Sequence, residues 1–398
     1  MKILIVLTYY RPHISGLTIY AERIAKAFAR RGHQVTVLTS QFDKNLASDE
    51  FDEDVHIIRA PVLMRLSKGV IMPTFGRLAS KLVKENDFIQ LHLPQFDAAG
   101  VALRGRLLKK PTIITYHCDL ELPPGIFNRV ANLAVLTMNE LAAKFTHRIV
   151  TYTEDYAMHS RYTSRYMKKV RVIPPPVVLP VVCSEEIQAF RSTHNPHAQK
   201  PVIGMAARFA TEKGVEVLLR AMPLILEEYP NALFQFVGPY KNIIGEEEYF
   251  ARLESMISHF EQSGNWKFLG SMSPAQMAAF YGNLDLLVVP SLNSTESFGL
   301  VQIEAMMNGV RCITSDLPGV RQPVKIHRMG TIFPIGDAAA LASGILHALR
   351  HPELTQEANT DFSVYDPKKT AESYERLFDE ITVELRLPTQ NQFRRDEW

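Results

Sequence analysis

"VIPPPVVLPVVC" (Val172–Cys183) places four prolines within twelve residues. Proline has no N–H and a fixed φ, so the stretch disfavours helix and interior strand and reads as a semi-rigid extended connection. Before it, the apolar runs Lys2–Thr8, Gln34–Thr39, Phe88–Leu93, Thr112–Tyr116 and Arg148–Thr151 read as strands. Between the first two, Ile19, Ala21, Ile24, Ala25 and Phe28 recur at helical spacing across Thr18–Arg31, and Gly32 follows as a stop. Beyond the prolines the alternation restarts, with strands at Val202–Ala206, Leu233–Val237, Trp266–Leu269, Leu284–Val289 and Val310–Thr314 and a helix over Gly214–Glu228. Strand–helix–strand repetition implies parallel sheets covered on both faces. The expected fold is therefore α/β, with two doubly wound, Rossmann-like domains facing across a cleft. Ligands of such sheets sit outside the carboxyl ends of the strands.

Size and composition agree with this division. A chain of 398 residues is too long for one ordinary core. It is 46% hydrophobic and 22% charged, the composition of a globular protein. No run approaches the roughly 18–20 apolar residues of a membrane-spanning helix. The apolar run after Met1-Lys2 is too short for a signal peptide and fits a first strand. Cys118, Cys183 and Cys312 are scattered, which argues for a reducing compartment rather than a disulfide framework. Charge is uneven: residues 1–180 hold 25 Lys and Arg against 15 Asp and Glu, the remainder 19 against 27. A basic half joined to an acidic half suggests that the basic half meets something anionic.

Several chemistries lack their signatures. No G-x-G-x-x-G follows the first strand and no G-x-x-x-x-G-K-[ST] occurs, so nicotinamide and P-loop chemistry lose their main support. H-E-x-x-H, a Cys/His ligand cluster and G-x-S-x-G are also missing. What remains is a set of strand-to-helix turns suited to phosphate. Gly16 precedes a helix in "TYYRPHISGLT", where a backbone can approach a ligand and helix N–H groups face an anion. Arg208 and Lys213 flank the turn in "ARFATEKGVE", offering a planar fork and a point charge to a diphosphate. In "PSLNSTESFGLVQIEAMMNG" (Pro290–Gly309) Glu296 stands in a loop after a strand. A helix is expected from about Phe298, with Glu304 about two turns in. At about 1.5 Å rise per residue, a near-helical segment sets the two carboxylates roughly 12 Å apart, the length of a sugar–diphosphate–ribose unit. One Glu could then hold a ribose and the other a hexose, with the N–H groups of Ser297, Phe298, Gly299 and Leu300 between them.

The E-x7-E spacing of Glu296 and Glu304 resembles the retaining glycosyltransferases of the GT-B fold, in particular their large fourth family, which includes many bacterial mannosyl- and glucosyltransferases. The resemblance runs over nearly the whole chain: Arg11–Thr39 resembles the family's opening, "TYHCD" its active-site His segment, "ARFATEKG" its diphosphate-binding pair and "LPGVRQPV" (Leu317–Val324) a later loop. It implies an acceptor-binding domain over 1–175 and a nucleotide-sugar domain over 176–365. Residues 366–398 would form a helix crossing back to the first domain, then a tail. It further implies that Gly16 brings its backbone to the diphosphate and that His117 approaches the reacting end of the donor sugar. Arg208 and Lys213 would neutralise the leaving diphosphate, Glu296 would hold hexose hydroxyls, and Glu304 the ribose. Two positions depart from the family's pattern: Ser15 replaces the first Gly of a Gly-Gly pair, and Pro175-Pro176-Val177-Val178 replaces an Asn-Gly-Val-Asp run.

The expected reaction is metal-independent hexosyl transfer with retention of configuration, without a cofactor. A sugar-nucleotide epimerase of the same fold and a non-catalytic nucleotide-sugar-binding protein are the alternatives. Leu91–Gly100 and Thr115–Gly125 look most like family members that use GDP-mannose on lipid-linked saccharides, with UDP-glucose the next donor. Residues 61–84 interleave Arg65, Lys68, Arg77, Lys81 and Lys84 with apolar side chains, and "RGRLLKK" spans Arg104–Lys110. Such segments suit a bilayer interface. The expectation is a cytoplasmic protein meeting an anionic membrane at its inner face, with a glycan or lipid-linked acceptor and no nucleic acid.

Overall fold

The structure is a computed structural model. It describes all residues except 67–68, 121–125, 242, 244, 353–357 and 386–398, and the side chains at 66, 126–128 and 130 also lie outside the description. Lys68, the end of the Thr115–Gly125 segment and the expected tail therefore fall partly or wholly outside the described residues. Contacts divide the chain into two units, Met1–Val177 with the segment from Ser363 on, and Val178–Phe362.

The first unit contains β1 (Lys2–Val6), β2 (Gln34–Gln41), β3 (Asp49–Asp52), β4 (Val55–Pro61), a hairpin of β5 (Met64–Leu66) and β6 (Gly69–Ile71), β7 (Phe88–Leu93), β8 (Thr112–Tyr116), β9 (Arg148–Thr151) and β10 (Val170–Val172). Eight of these form one sheet in the order β10-β9-β8-β7-β1-β2-β4-β3, parallel except for β3. Every residue of β7 and β8 is buried, as expected of strands covered on both faces. The second unit contains β11 (Val202–Ala206), β12 (Leu233–Val237), β13 (Trp266–Gly270), β14 (Leu286–Val289), β15 (Arg311–Ser315) and β16 (Gly330–Phe333), in the all-parallel order β13-β12-β11-β14-β15-β16. In each sheet the chain reverses its direction of winding at one point, between β1 and β7 in the first and between β11 and β14 in the second.

The C-terminal helix, Pro367–Glu384, belongs to the first unit and packs along the Gly16–Arg30 helix. Its buried face includes Tyr374, Leu377, Phe378 and Ile381, and the Phe378 ring lies 4.5 Å from that of Phe88. Arg31 grips Glu375 at 2.6 and 2.7 Å and Glu372 at 3.0 Å. The proline stretch is tied to this same segment: Val177 N donates to Tyr365 O (2.9 Å) and Thr370 Oγ1 to Pro174 O (3.2 Å).

Boundaries differ from expectation where local hydrogen bonding decides them. The first helix starts at Gly16, not Thr18, because Ser15 caps it: Thr18 N donates to Ser15 Oγ (3.2 Å) and Ser15 N to Thr18 Oγ1 (2.8 Å). The strand expected from Leu284 starts at Leu286, since Leu284 N closes a turn onto Tyr281 O (3.0 Å). The helix expected from Phe298 begins at Leu300. Gly299, at φ +76°, holds its N-cap in the left-handed region. Glu304 is consequently the fifth helical residue, little more than one turn in, and the near-helical span assumed between Glu296 and Glu304 does not exist.

Candidate functional site

In open parallel sheets, the loops on either side of the point where winding reverses splay apart and leave a crevice at the strands' carboxyl ends. In the second unit those loops follow β11 and β14. The loop after β11 carries Arg208, a short turn at Thr211–Lys213 and Gly214. Gly214 has φ +69°, and a Cβ there would come within 2.0 Å of Pro290 O. Only glycine allows the two loops to meet. Leu292 N then donates to Glu212 O (2.9 Å), and the turn is anchored from behind by Glu246, whose Oε2 accepts from Thr211 N (2.9 Å) and Thr211 Oγ1 (2.8 Å).

This contact brings the charges together. Lys213 Nζ forms an ion pair with Glu296, and Arg208 Nη2 with Glu212. Burial works against the Lys213 charge, but the Glu296 carboxylate outweighs it and raises the ammonium pKa. Glu296 Oε1 also accepts from Gly299 N (3.1 Å). Ser297 and Phe298 are buried and lie outside the helix. Gln302 Nε2 bonds Phe298 O (3.1 Å) and Val320 O (2.8 Å), tying this loop to the "LPGVRQPV" segment. Glu304 Oε2 accepts from Tyr281 Oη (3.0 Å). Gln302 N donates to Gly299 O, while the amides of Leu300 and Val301 have no acceptor among the described hydrogen bonds. They are the outward-facing donors of a helix start.

The structure thus gathers Arg208, Lys213 and Glu296 in one cluster, with Gly299, Leu300 and Glu304 along the adjoining helix start. Sequence reasoning missed Glu212, Glu246, Tyr281 and Gln302. Glu212 lies between Arg208 and Lys213 in the chain, and that position was its one visible signal.

In the first unit the reversal point lies between β1 and β7. Gly16 opens the helix after β1, and nothing lies within 4 Å of where its Cβ would be. Its amide and that of Leu17 have no acceptor among the described hydrogen bonds. The cap by Ser15 uses that residue's own N–H and side chain and leaves these two donors open. His117 follows β8, next to β7. Its Nε2 lies 2.8 Å from His92 Nδ1, and its Nδ1 is hydrogen-bonded to Tyr152 Oη. The Tyr20 ring stands edge-on to it at 5.1 Å between centroids. Burial pushes His92 down to about 3, and burial together with His92 holds His117 well below the usual imidazole range. Both rings are neutral near pH 7. Two further networks brace this end of the sheet. Tyr374 Oη meets Tyr20 Oη (2.7 Å) and Thr115 Oγ1 (2.8 Å), and the buried Asp119 carboxylate accepts from Tyr116 Oη (2.8 Å), Ser160 Oγ (2.6 Å) and Arg161 N (3.2 Å).

Two doubly wound units, each with a polar cluster at its reversal point, are compatible with several activities, and the comparisons identify the class as glycosyltransferase. The family described as glycosyl transferases group 1 matches residues 186–362, and glycosyltransferase family 4 matches residues 14–179. The chain belongs to the family 4 glycosyltransferases of the GT-B fold, whose solved members have two Rossmann-like domains. Phosphatidyl-myo-inositol mannosyltransferase of Mycobacterium tuberculosis is 23% identical, over 92% of this chain and 93% of its own. Alpha-monoglucosyldiacylglycerol synthase of Acholeplasma laidlawii is 24% identical, over 95% and 96%. Among solved structures, Anabaena HepE in complex with UDP and glucose superposes with a TM-score of 0.73 at 19% identity, over 95% of this chain and 99% of that one.

The histidine pair predicts an acid-sensitive first unit. Below about pH 6.5 the unfolded chain binds protons that the folded His92 and His117 refuse, so their effect is absent above that pH and destabilises progressively as pH falls towards 3. At 1.36 kcal/mol per unit, His92 contributes about 2 kcal/mol of lost stability between roughly pH 6.5 and 4.5. His92→Gln, which keeps a polar side chain that does not titrate, should flatten the stability-versus-pH curve by that amount. Parallel curves for wild type and variant would sink the assignment.

Proposed function

We propose that the protein transfers a hexose, mannose in the first instance, from a nucleotide-diphosphate sugar to a hydroxyl of a glycan or lipid-linked acceptor, with retention of configuration. The observation that carries this reading is the Arg208–Lys213–Glu296 cluster at the reversal point of the second unit. Departure of a nucleoside diphosphate builds negative charge on phosphate oxygens while the sugar approaches an oxocarbenium ion. Fixed positive groups and N–H donors stabilise that state more than the ground state. Arg208 supplies a fork and Lys213 a point charge, and the open amides of Leu300 and Val301 add N–H donors. Glu296 holds hexose hydroxyls with the carboxylate that otherwise pairs with Lys213. Glu304, already oriented by Tyr281, holds the ribose. In the first unit the open amides at Gly16 and Leu17 suit a phosphate oxygen. His117, being neutral, acts by position rather than charge; a donor hydroxyl bonding its ring replaces Tyr152 or His92.

The mannosyltransferase activity of the mycobacterial relatives favours a mannosyl donor, and UDP-glucose remains next through the glucosyl relatives and the HepE complex. Thermal stabilisation by each sugar nucleotide ranks the donors, because a bound ligand raises stability by mass action. Arg208→Ala or Lys213→Ala should lower kcat/KM by roughly 10²-fold or more, the scale of one lost preorganised donor, while leaving the fold intact. Near-normal turnover in either variant would remove the diphosphate assignment. The two cations take the part a metal plays in other transferases. Activity should therefore persist in excess EDTA, and complete loss restored by Mg²⁺ or Mn²⁺ would contradict this.

The acceptor reading rests on the first unit's surface. Of the apolar side chains in residues 61–84, Met72, Phe75 and Leu82 are buried in the core, whereas Leu63, Met64 and Ile71 are exposed, as are Arg65, Arg77 and Lys81. Leu103, Leu107 and Leu108 are exposed next to Arg104, Arg106, Lys109 and Lys110. No helix among the described residues is long and apolar enough to cross a membrane, so we place the contact at the membrane surface, on the cytoplasmic side. Each basic residue near an anionic surface is worth about 1 kcal/mol. Co-sedimentation with liposomes should require anionic lipid, weaken with salt, and fall when Arg65, Lys68, Arg77 and Lys81 are changed to Gln. Protein remaining in the supernatant under every condition would make a soluble acceptor the better reading.

A further inference from the structure

The donor cluster contains a carboxylate that the proposed chemistry does not use. Glu212 sits in the turn between the two cations, its side chain only 16% exposed, and is ion-paired with Arg208, which is 37% exposed. Its backbone is fixed on both sides: Leu292 N donates to Glu212 O, and Glu246 pins Thr211. The turn therefore keeps the Glu212 side chain within reach of Arg208. Arg208 Nε and Nη1 have no acceptor among the described hydrogen bonds. Glu212 also lies close enough to Lys213 to help hold that ammonium charged. The resting cluster is therefore two cations matched by two carboxylates, Glu212 and Glu296, and it presents no net positive charge to an incoming anion.

We propose that Glu212 is a positioning residue that competes with the bound diphosphate for Arg208 and so speeds release of the nucleoside diphosphate product; this rests on the donor-site reading above. In the empty site Arg208 bonds Glu212. In the filled site the guanidinium turns its remaining N–H groups to phosphate oxygens, which then lie near a fixed negative charge. Transfer of the sugar leaves the diphosphate with a terminal phosphate group bearing more charge than the donor's esterified one. The product is thus held more tightly by Arg208 and Lys213 than the donor was. Product release limits turnover in many transferases and other enzymes. A carboxylate ready to reclaim Arg208 offsets that tightening at the step where it would slow the enzyme.

Calorimetric titration of the full chain with GDP and UDP tests this, using whichever binds the wild type. Glu212→Gln keeps the shape and one acceptor oxygen but removes the charge. It should bind the nucleoside diphosphate about tenfold more tightly, equivalent to about 1.4 kcal/mol. Both kcat and the donor KM should fall, with an unchanged melting temperature. In an Arg208→Ala background the same change should give no tightening, since the competed partner is gone. A merely structural Glu212 would give weaker binding or a lower melting temperature, and either result overturns the proposal. So does tightening that persists without Arg208. If Arg208→Ala alone leaves nucleoside diphosphate binding unchanged, the donor-site reading falls. If Arg208→Ala weakens binding but Glu212→Gln does not tighten it, the role of Glu212 alone falls.

Discussion

The second unit's chemistry depends on one close approach, Gly214 against the carbonyl of Pro290. Two loops that leave neighbouring strands on opposite sides of the reversal point would ordinarily diverge. A side chain at Gly214 would keep them apart, and its φ of +69° would strain any other residue. With the loops in contact, Lys213 reaches Glu296 and Leu292 closes onto Glu212. A half-buried ammonium with no partner would be costly; paired with Glu296 it keeps its charge. The ion pair therefore stabilises this loop arrangement and holds the Lys213 ammonium in place.

The first unit meets the same topological situation with the opposite chemistry. At its reversal point it gathers neutral groups: two depressed histidines, Tyr20, Tyr152 and Tyr374. Burial explains the difference. The His92–His117 pair is buried, and no described carboxylate supports a charge on it, whereas the Lys213 cluster is partly open and contains its own counter-ions. Tyr374 couples this polar cluster to the Pro367–Glu384 helix, which thereby helps hold the ring that packs on His117.

Much of this was legible in sequence because parallel strands buried on both faces are continuous apolar runs. Phe88–Leu93, Thr112–Tyr116, Arg148–Thr151, Val202–Ala206 and Leu233–Val237 were all readable to the residue. Edges were not: Asp49–Asp52 is a strand with three acidic residues, held by pairing with β4 rather than by its own burial. The residue types of the donor cluster were readable, but its geometry was not. A Gly in "SFGLV" admits either a helix interior or a left-handed cap, and periodicity alone cannot separate the two. Gly299 takes the cap, which shortens the helix and leaves Ser297 and Phe298, both buried, in the loop before it. Ser15 shows the reverse. Read as a departure from a glycine pair, it turns out to be the residue that starts the helix and leaves the Gly16 amide open.

The distribution of charge limits how the donor can be held. Residues 178–362 contain 13 Lys and Arg against 19 Asp and Glu, so the unit that carries the Arg208–Lys213 cluster is acidic overall. Its long-range field repels a nucleotide, although at physiological ionic strength that field decays over about 8 Å. Attraction must then come from groups within contact distance: the Arg208 fork, Lys213 and the open amides at the helix start. Local donors of this kind are strong only if they are fixed in advance, because a mobile cation on an acidic surface would settle on the nearest carboxylate. The glycine contact, the Glu246 anchor and the Gln302 tie provide that fixation. On the donor-site reading proposed above, the paired carboxylates occupy the cations until an anion displaces them, and a diphosphate would be selected by the geometry it must match to do so.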